Sequence, residues 1–147
     1  MNKKPTSVKK YYLFDCEDFI LGRMATKIAF LLQGKDKPDF APNIEGSVGI
    51  IAINSDKLRV SGRKKDDKTY HTYSGYPGGI TSRKLKDVIE RDSRQAIWNA
   101  VYGMLPKNKL RDRLMKKMLI CKDENHGVAN GEIEKVLPAP AVDKQNN

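Results

Sequence analysis

Val48-Gly49-Ile50-Ile51-Ala52-Ile53 is a run of six residues without one polar side chain. A strand with one face in water alternates apolar and polar residues, and this run does not. It needs cover on both faces, as central strands of parallel sheets have. Parallel neighbours must be joined by crossovers, usually helical. Helical patterns of the required kind flank the run. Leu21, Met24, Ala25, Ile28, Leu31 and Leu32 recur at i, i+3, i+4, i+7 spacing, and Gly34, Lys35, Lys37 and Pro38 follow where that helix should end. Thr81 or Ser82 can cap a second helix to about Glu90, with Leu85, Val88 and Ile89 inward. Asp92 can cap a third, carrying Ile97, Ala100, Val101 and Met104 and stopped by Gly103 and Pro106. Trp98 lies in that apolar pattern and reads as core.

Tyr11-Tyr12-Leu13-Phe14, the segment around Leu58 and Val60, and Leu119-Ile120-Cys121 have the composition of short strands. The order strand, helix, strand, strand, helices, strand predicts an α/β fold with a small, mostly parallel sheet between helices, hence three layers, α/β/α. A chain of 147 residues suits one domain. We place that domain at 11–130, behind a flexible basic N-terminal arm (1–10) and ahead of an irregular C-terminal extension (131–147).

Charge narrows the function. Lys and Arg number 28 against 18 acids, a net charge of +10. The excess lies in the body, since the tail carries Glu132, Glu134 and Asp143 against Lys135 and Lys144. A polyanionic partner is implied, nucleic acid before an anionic membrane. No apolar run approaches the ~18 residues of a spanning helix. No secretory leader is visible, and Cys16 and Cys121 stand far apart, as reduced cytoplasmic thiols would. His71 and His126 are the only histidines, so no zinc set exists.

Three segments could hold RNA. Lys107, Lys109, Arg111, Arg113, Lys116 and Lys117 crowd a helix predicted over 107–117, with Asp112 as its one acid and Leu110, Leu114 and Met118 as its apolar stripe. Like charges at i,i+4 repel, and a phosphate lattice offsets that repulsion. Arg63, Lys64, Lys65 and Lys68 form a second basic stretch. It feeds a loop holding Tyr70, His71, Tyr73, Tyr76, Gly78 and Gly79, with Arg83 and Lys84 beyond. Tyrosines stack on unpaired bases, and glycines allow positive φ and close backbone approach. A solvated basic face and a loop folded onto the core are the plainer readings of the same residues. Arg23, Lys35 and Lys37 are second-rank contacts.

Catalytic readings are poorer. Gly75–Lys84 fits neither GxxxxGK[ST] nor GxGxxG. Asp15 with His71, or Cys121 with His126, could be drawn as reactive pairs, but no third, orienting group is evident.

The run Val101-Tyr102-Gly103-Met104-Leu105-Pro106-Lys107-Asn108-Lys109-Leu110 resembles the hallmark of the bacterial-type large-subunit ribosomal protein family L-thirteen. Three further blocks agree in order and spacing. These are Leu21-Gly22-Arg23-Met24-Ala25-Thr26 after Asp15, Ile53-Asn54-Ser55-Asp56-Lys57 with Val60-Ser61-Gly62, and Gly75-Tyr76-Pro77-Gly78-Gly79-Ile80. The likeness spans about residues 11–130. Three places depart from it. Arg111-Asp112-Arg113 stands where the family usually has Gly-Arg, His126 stands alone where two histidines are common, and Tyr73 and Tyr76 lie where family histidines precede the glycine pair.

The resemblance implies a three-layer α/β/α fold with a four-stranded parallel core. It also implies a structural, non-enzymatic constituent of the large subunit that binds large-subunit ribosomal RNA, meets neighbouring ribosomal proteins and supports early assembly. No cofactor, metal, membrane or small-molecule substrate is expected. The ribosome would be cytoplasmic or a mature organellar one. The rivals are a free-standing RNA-binding protein and a nucleic-acid-processing α/β enzyme using Asp15 and His71.

Overall fold

The computed structural model describes residues 10–128 and 131–138. Four parallel strands form one sheet, in the order β5 (Met118–Ile120), β2 (Val48–Ile53), β1 (Lys10–Asp15) and β6 (Glu132–Lys135). The wholly apolar run is β2 (Val48–Ile53), buried at all six positions between β1 (Lys10–Asp15) and β5 (Met118–Ile120). The α/β class and the parallel four-stranded sheet are thus as expected.

Helix α1 (Leu21–Leu32) buries Leu21, Met24, Ala25, Ile28, Ala29 and Leu32. Gly34, at φ 77°, closes it. Its N–H bonds the Leu31 carbonyl at 2.9 Å, and the Lys35 N–H reaches back to Phe30 at 3.2 Å. That is a Schellman ending, which favours glycine. Helix α3 (Leu85–Met104) breaks at Asp92, whose φ −157° and ψ 101° are extended. The Asp92 carboxylate accepts the Arg94 N–H at 3.2 Å, so the second segment is capped as predicted.

Phe14, Met24, Ile28, Ile50, Leu85, Ile97, Leu114 and Ile120 share the main apolar cluster, which α1, α3 and α4 (Leu110–Met115) all enter. On the sheet's other face, Tyr11, Ile51 and Ile53 make a smaller cluster with Leu13 and Val128.

Five expectations change. The Leu58–Val60 segment forms only an isolated bridge between Arg59 and Ile20. Its Arg59 carbonyl accepts the Leu21 N–H at 2.9 Å and so satisfies the start of α1. Thr81 and Ser82 do not cap a helix. They belong to β4 (Ile80–Lys84), paired antiparallel with β3 (Thr69–Tyr73), and α3 starts only at Leu85. The basic helix shrinks from 107–117 to the six residues of α4, because Pro106 and the Asn108 turn occupy its front and Met118 joins β5. Its stripe shifts too, with Leu114 and Met115 buried and Leu110 and Met118 half-buried. The extension after 130 is not wholly irregular. Glu132–Lys135 is β6, parallel to β1, where Lys10 and Glu134 pair at 2.7 Å. Residues 1–9 of the basic arm and the tail beyond 138 lie outside the described residues.

Candidate nucleic-acid interface

The β3–β4 ribbon leaves the body at Lys68, whose carbonyl accepts the Leu85 N–H at 2.8 Å. Tyr70 anchors it, packing half-buried against the main cluster. Burial pushes the Tyr70 hydroxyl's pKa up, and that oxygen has no hydrogen-bond partner. Beyond Tyr70 the ribbon stands in solvent. All of β4 is exposed, as are His71, Tyr73 and Tyr76.

Pairing sorts the side chains. His71, opposite Ser82, shares a 2.8 Å hydrogen bond with it, and Tyr73 lies opposite Ile80 on the same face. Tyr70 and Thr72 share the other face with Arg83 and Thr81. Tyr73, Tyr76 and Ile80 are 63%, 76% and 65% exposed, an apolar tip on a polar stalk. Gly75 (φ 90°) and Gly78 (φ 74°) turn that tip. Gly79 has a different constraint. A Cβ there would strike the Ser74 hydroxyl and lie 3.0 Å from the Tyr76 carbonyl oxygen.

At the ribbon's base, Arg63 precedes the short helix α2 (Lys64–Asp67). Arg63, Lys64, Lys65, Lys68, Arg83 and Lys84 are all exposed there, with the Lys68 ammonium 5.1 Å from the Tyr70 ring centre. The other basic group gathers around α4, beyond the far end of α3. Asn108 starts that helix, its side-chain oxygen accepting the Leu110 and Arg111 N–H groups at 3.1 Å each. Lys107, Lys109 and Lys116 are exposed.

Two of the basic candidates are held in ion pairs within the molecule. Glu45 takes Arg113 at 3.2 Å and Lys117 at 2.9 Å. Lys117 also donates to the Gly46 carbonyl at 2.7 Å, and its side chain is only 15% exposed. The Lys117 hydrogen bond holds the Glu45 carboxyl below its usual pKa, with Arg113 adding to it against the opposing effect of burial. Of the twelve Lys and Arg candidates in the three segments, the other ten make no ion pair among the described residues. Arg23, Lys35 and Lys37 are exposed on or just after α1, and Lys37 donates to the Ser47 hydroxyl at 2.6 Å.

The catalytic pairs do not assemble. Asp15 accepts the Glu17 N–H and the Asn54 amide, both at 3.1 Å, at the carboxyl end of β1. His71 instead binds Ser82 on the ribbon. Burial raises the Cys121 pKa, and His126 accepts the Val128 N–H at 3.2 Å. Cys16 is buried, its thiol pushed up to about 12 chiefly by that burial. Among the described residues no group of three or more His, Cys, Asp or Glu could hold a metal.

The description ribosomal protein L13 belongs to a family model that matches residues 9–127. The chain belongs to the ribosomal protein L13 family. The large ribosomal subunit protein uL13 of Chlorobium chlorochromatii is 44% identical over 124 residues, 84% of this chain and 83% of that one. The uL13 of Clostridioides difficile is 40% identical over 133 residues, 88% and 93% of the two chains. That of Mycobacterium avium is 39% identical over 124 residues, 84% of each.

In this L13-family chain the tryptophan of the apolar helix pattern lies outside the core. Trp98, expected in the core, is 38% exposed and stacks on Tyr102. Their i,i+4 spacing was the signal available. Among the described residues no helix is long and apolar enough to cross a membrane.

Proposed function

We propose that this chain is a structural constituent of the large ribosomal subunit, working in the cytoplasmic ribosome. It binds large-subunit ribosomal RNA, supports early subunit assembly and contacts neighbouring ribosomal proteins. It catalyses no step itself. The carrying observation is the bare β3–β4 ribbon, with six exposed cations at its base that make no ion pair among the described residues. Such a ribbon offers cations to phosphates while its tip offers aromatic faces to sugars and unpaired bases. The α4 group, with Lys107, Lys109, Arg111 and Lys116, is the second contact, and Lys117 with Glu45 holds that helix in place. Binding is read through backbone and shape more than through base edges.

Ultraviolet cross-linking of reconstituted large subunits tests the assignment. Cross-linked peptides should cover 63–84 and 107–116. Cross-links confined to the Asp15–Asn54 edge would refute it.

A further inference from the structure

Trp98 and Tyr102 lie one turn apart on α3, with ring centres 4.6 Å apart and planes 14° from parallel. The Arg111 guanidinium carbon is 3.8 Å from the same Tyr102 centre. Two groups that close to one ring would overlap on a shared face, so Tyr102 is clamped between indole and guanidinium. The result is a column of three planar groups, built across α3 and α4.

Neither end of the column is completed by the protein. Arg111 is half-buried, its Nε is enclosed without a hydrogen-bond partner, and no carboxylate pairs with the guanidinium among the described residues. At the other end the indole is 38% exposed, and no further ring or cation stacks on it among the described residues. Lys107 and Lys109, exposed and free of ion pairs among the described residues, lead into α4 beside Arg111.

We infer that Trp98 is a stacking platform for an unpaired nucleobase, with Arg111 and the lysines ahead of α4 drawing in the attached phosphates. This rests on the RNA-binding reading above and adds a site to it. A single strand brings both things the column lacks, a flat π face for the indole end and, from neighbouring nucleotides, negative charge for the guanidinium end. An apolar protein patch would cover the indole but leave the cation uncompensated. Stacking on Tyr102 also fixes the indole before binding, which lowers the ordering cost.

Trp98 is the only tryptophan, so its fluorescence reports on the site directly. The full chain is titrated with poly(A) and, separately, with inorganic polyphosphate at the same ionic strength. Both polyanions should bind, and only poly(A) should quench Trp98. Trp98→Leu should weaken poly(A) binding by about fivefold to a hundredfold, the range for losing one stacked base. It should leave polyphosphate binding within about twofold, because backbone charge is untouched. Trp98→Phe, which keeps a ring, should recover much of the loss, and the quench in the parent decides the matter if Trp98→Leu fails to fold.

Binding of both polyanions without any quench would overturn the platform and leave the RNA reading standing. Binding of neither would overturn both. A fluorescence change seen only when other large-subunit proteins are added would make Trp98 a protein contact and overturn the platform.

Discussion

Replacing Lys107, Lys109 and Lys116 together with Gln separates binding from folding. All three are exposed, and none has an ion pair among the described residues. Gln is a good helix former, and Leu114 and Met115 beneath α4 are left intact. The free protein should therefore melt as the parent does, or slightly higher once like-charge repulsion falls. Binding should respond quite differently. Three lost phosphate contacts lower the log–log salt slope by about 2–3, at 0.7–0.9 per contact. Between about 50 and 200 mM salt the parent should then lose roughly 1.3–1.6 more decades of affinity than the variant. Lys117→Gln is the matched opposite. It breaks the 2.9 Å pair with Glu45 and the 2.7 Å bond to the Gly46 carbonyl. It should cost about 1–2 kcal/mol and lower the melting point by roughly 2–8 °C, with little change in salt slope. The assays are thermal melts and titrations with large-subunit ribosomal RNA at several salt concentrations. A triple variant with the parent's affinity and slope would refute the α4 contact.

Glu45→Gln should destabilise the fold by about 1 kcal/mol near neutral pH. The folded carboxyl's pKa is lowered, so its contribution is present above the ordinary value of 4.5 and is lost as pH falls through the folded one. Parent and variant melts should therefore converge in acid, and a gap that stays constant down to about pH 3 would contradict the pairing. Gly79→Val should leave the core melt nearly unchanged but weaken RNA binding, because the clash with Ser74 and Tyr76 is confined to the ribbon tip. Unaltered RNA titrations would remove the tip from the interface. Ser93→Ala should cost about 1–3 kcal/mol in denaturant melts. Its buried hydroxyl donates to Asp56 and shares a 2.8 Å hydrogen bond with Ser55, and a neutral result would show that this link between the Ser55–Lys57 turn and α3 carries no load.

The parallel sheet was legible because β2 is apolar at every position and α1 repeats at a helical period, both consequences of burial that composition records directly. The Asp92 break was legible because a cap is a local event. The ribbon was missed because Thr81 and Ser82 make equally good caps and strand residues, and pairing with β3 decided between them. Strand β6 was missed for a similar reason. Glu132-Ile133-Glu134-Lys135 lies at a sheet edge, exposed throughout, so no apolar run marks it. At the interface, charge located the basic segments but could not reveal which cations are already engaged. Glu45 is distant in sequence from Arg113 and Lys117, and only the fold brings it to them. The sequence offers the loop glycines for positive φ and for close approach alike, and the fold divides the two roles: Gly75 and Gly78 take positive φ at the tip, and Gly79 is needed for close approach.

Membership in the large subunit is the central claim, and sedimentation tests it most directly. A lysate is prepared at low salt with magnesium and resolved on a sucrose gradient, and the chain is followed by immunoblot. It should travel with the large subunit, appear in the lighter assembly precursors, and be released only by high salt or ribonuclease. A chain that stays at the top of the gradient, away from every ribosomal peak, would contradict the account.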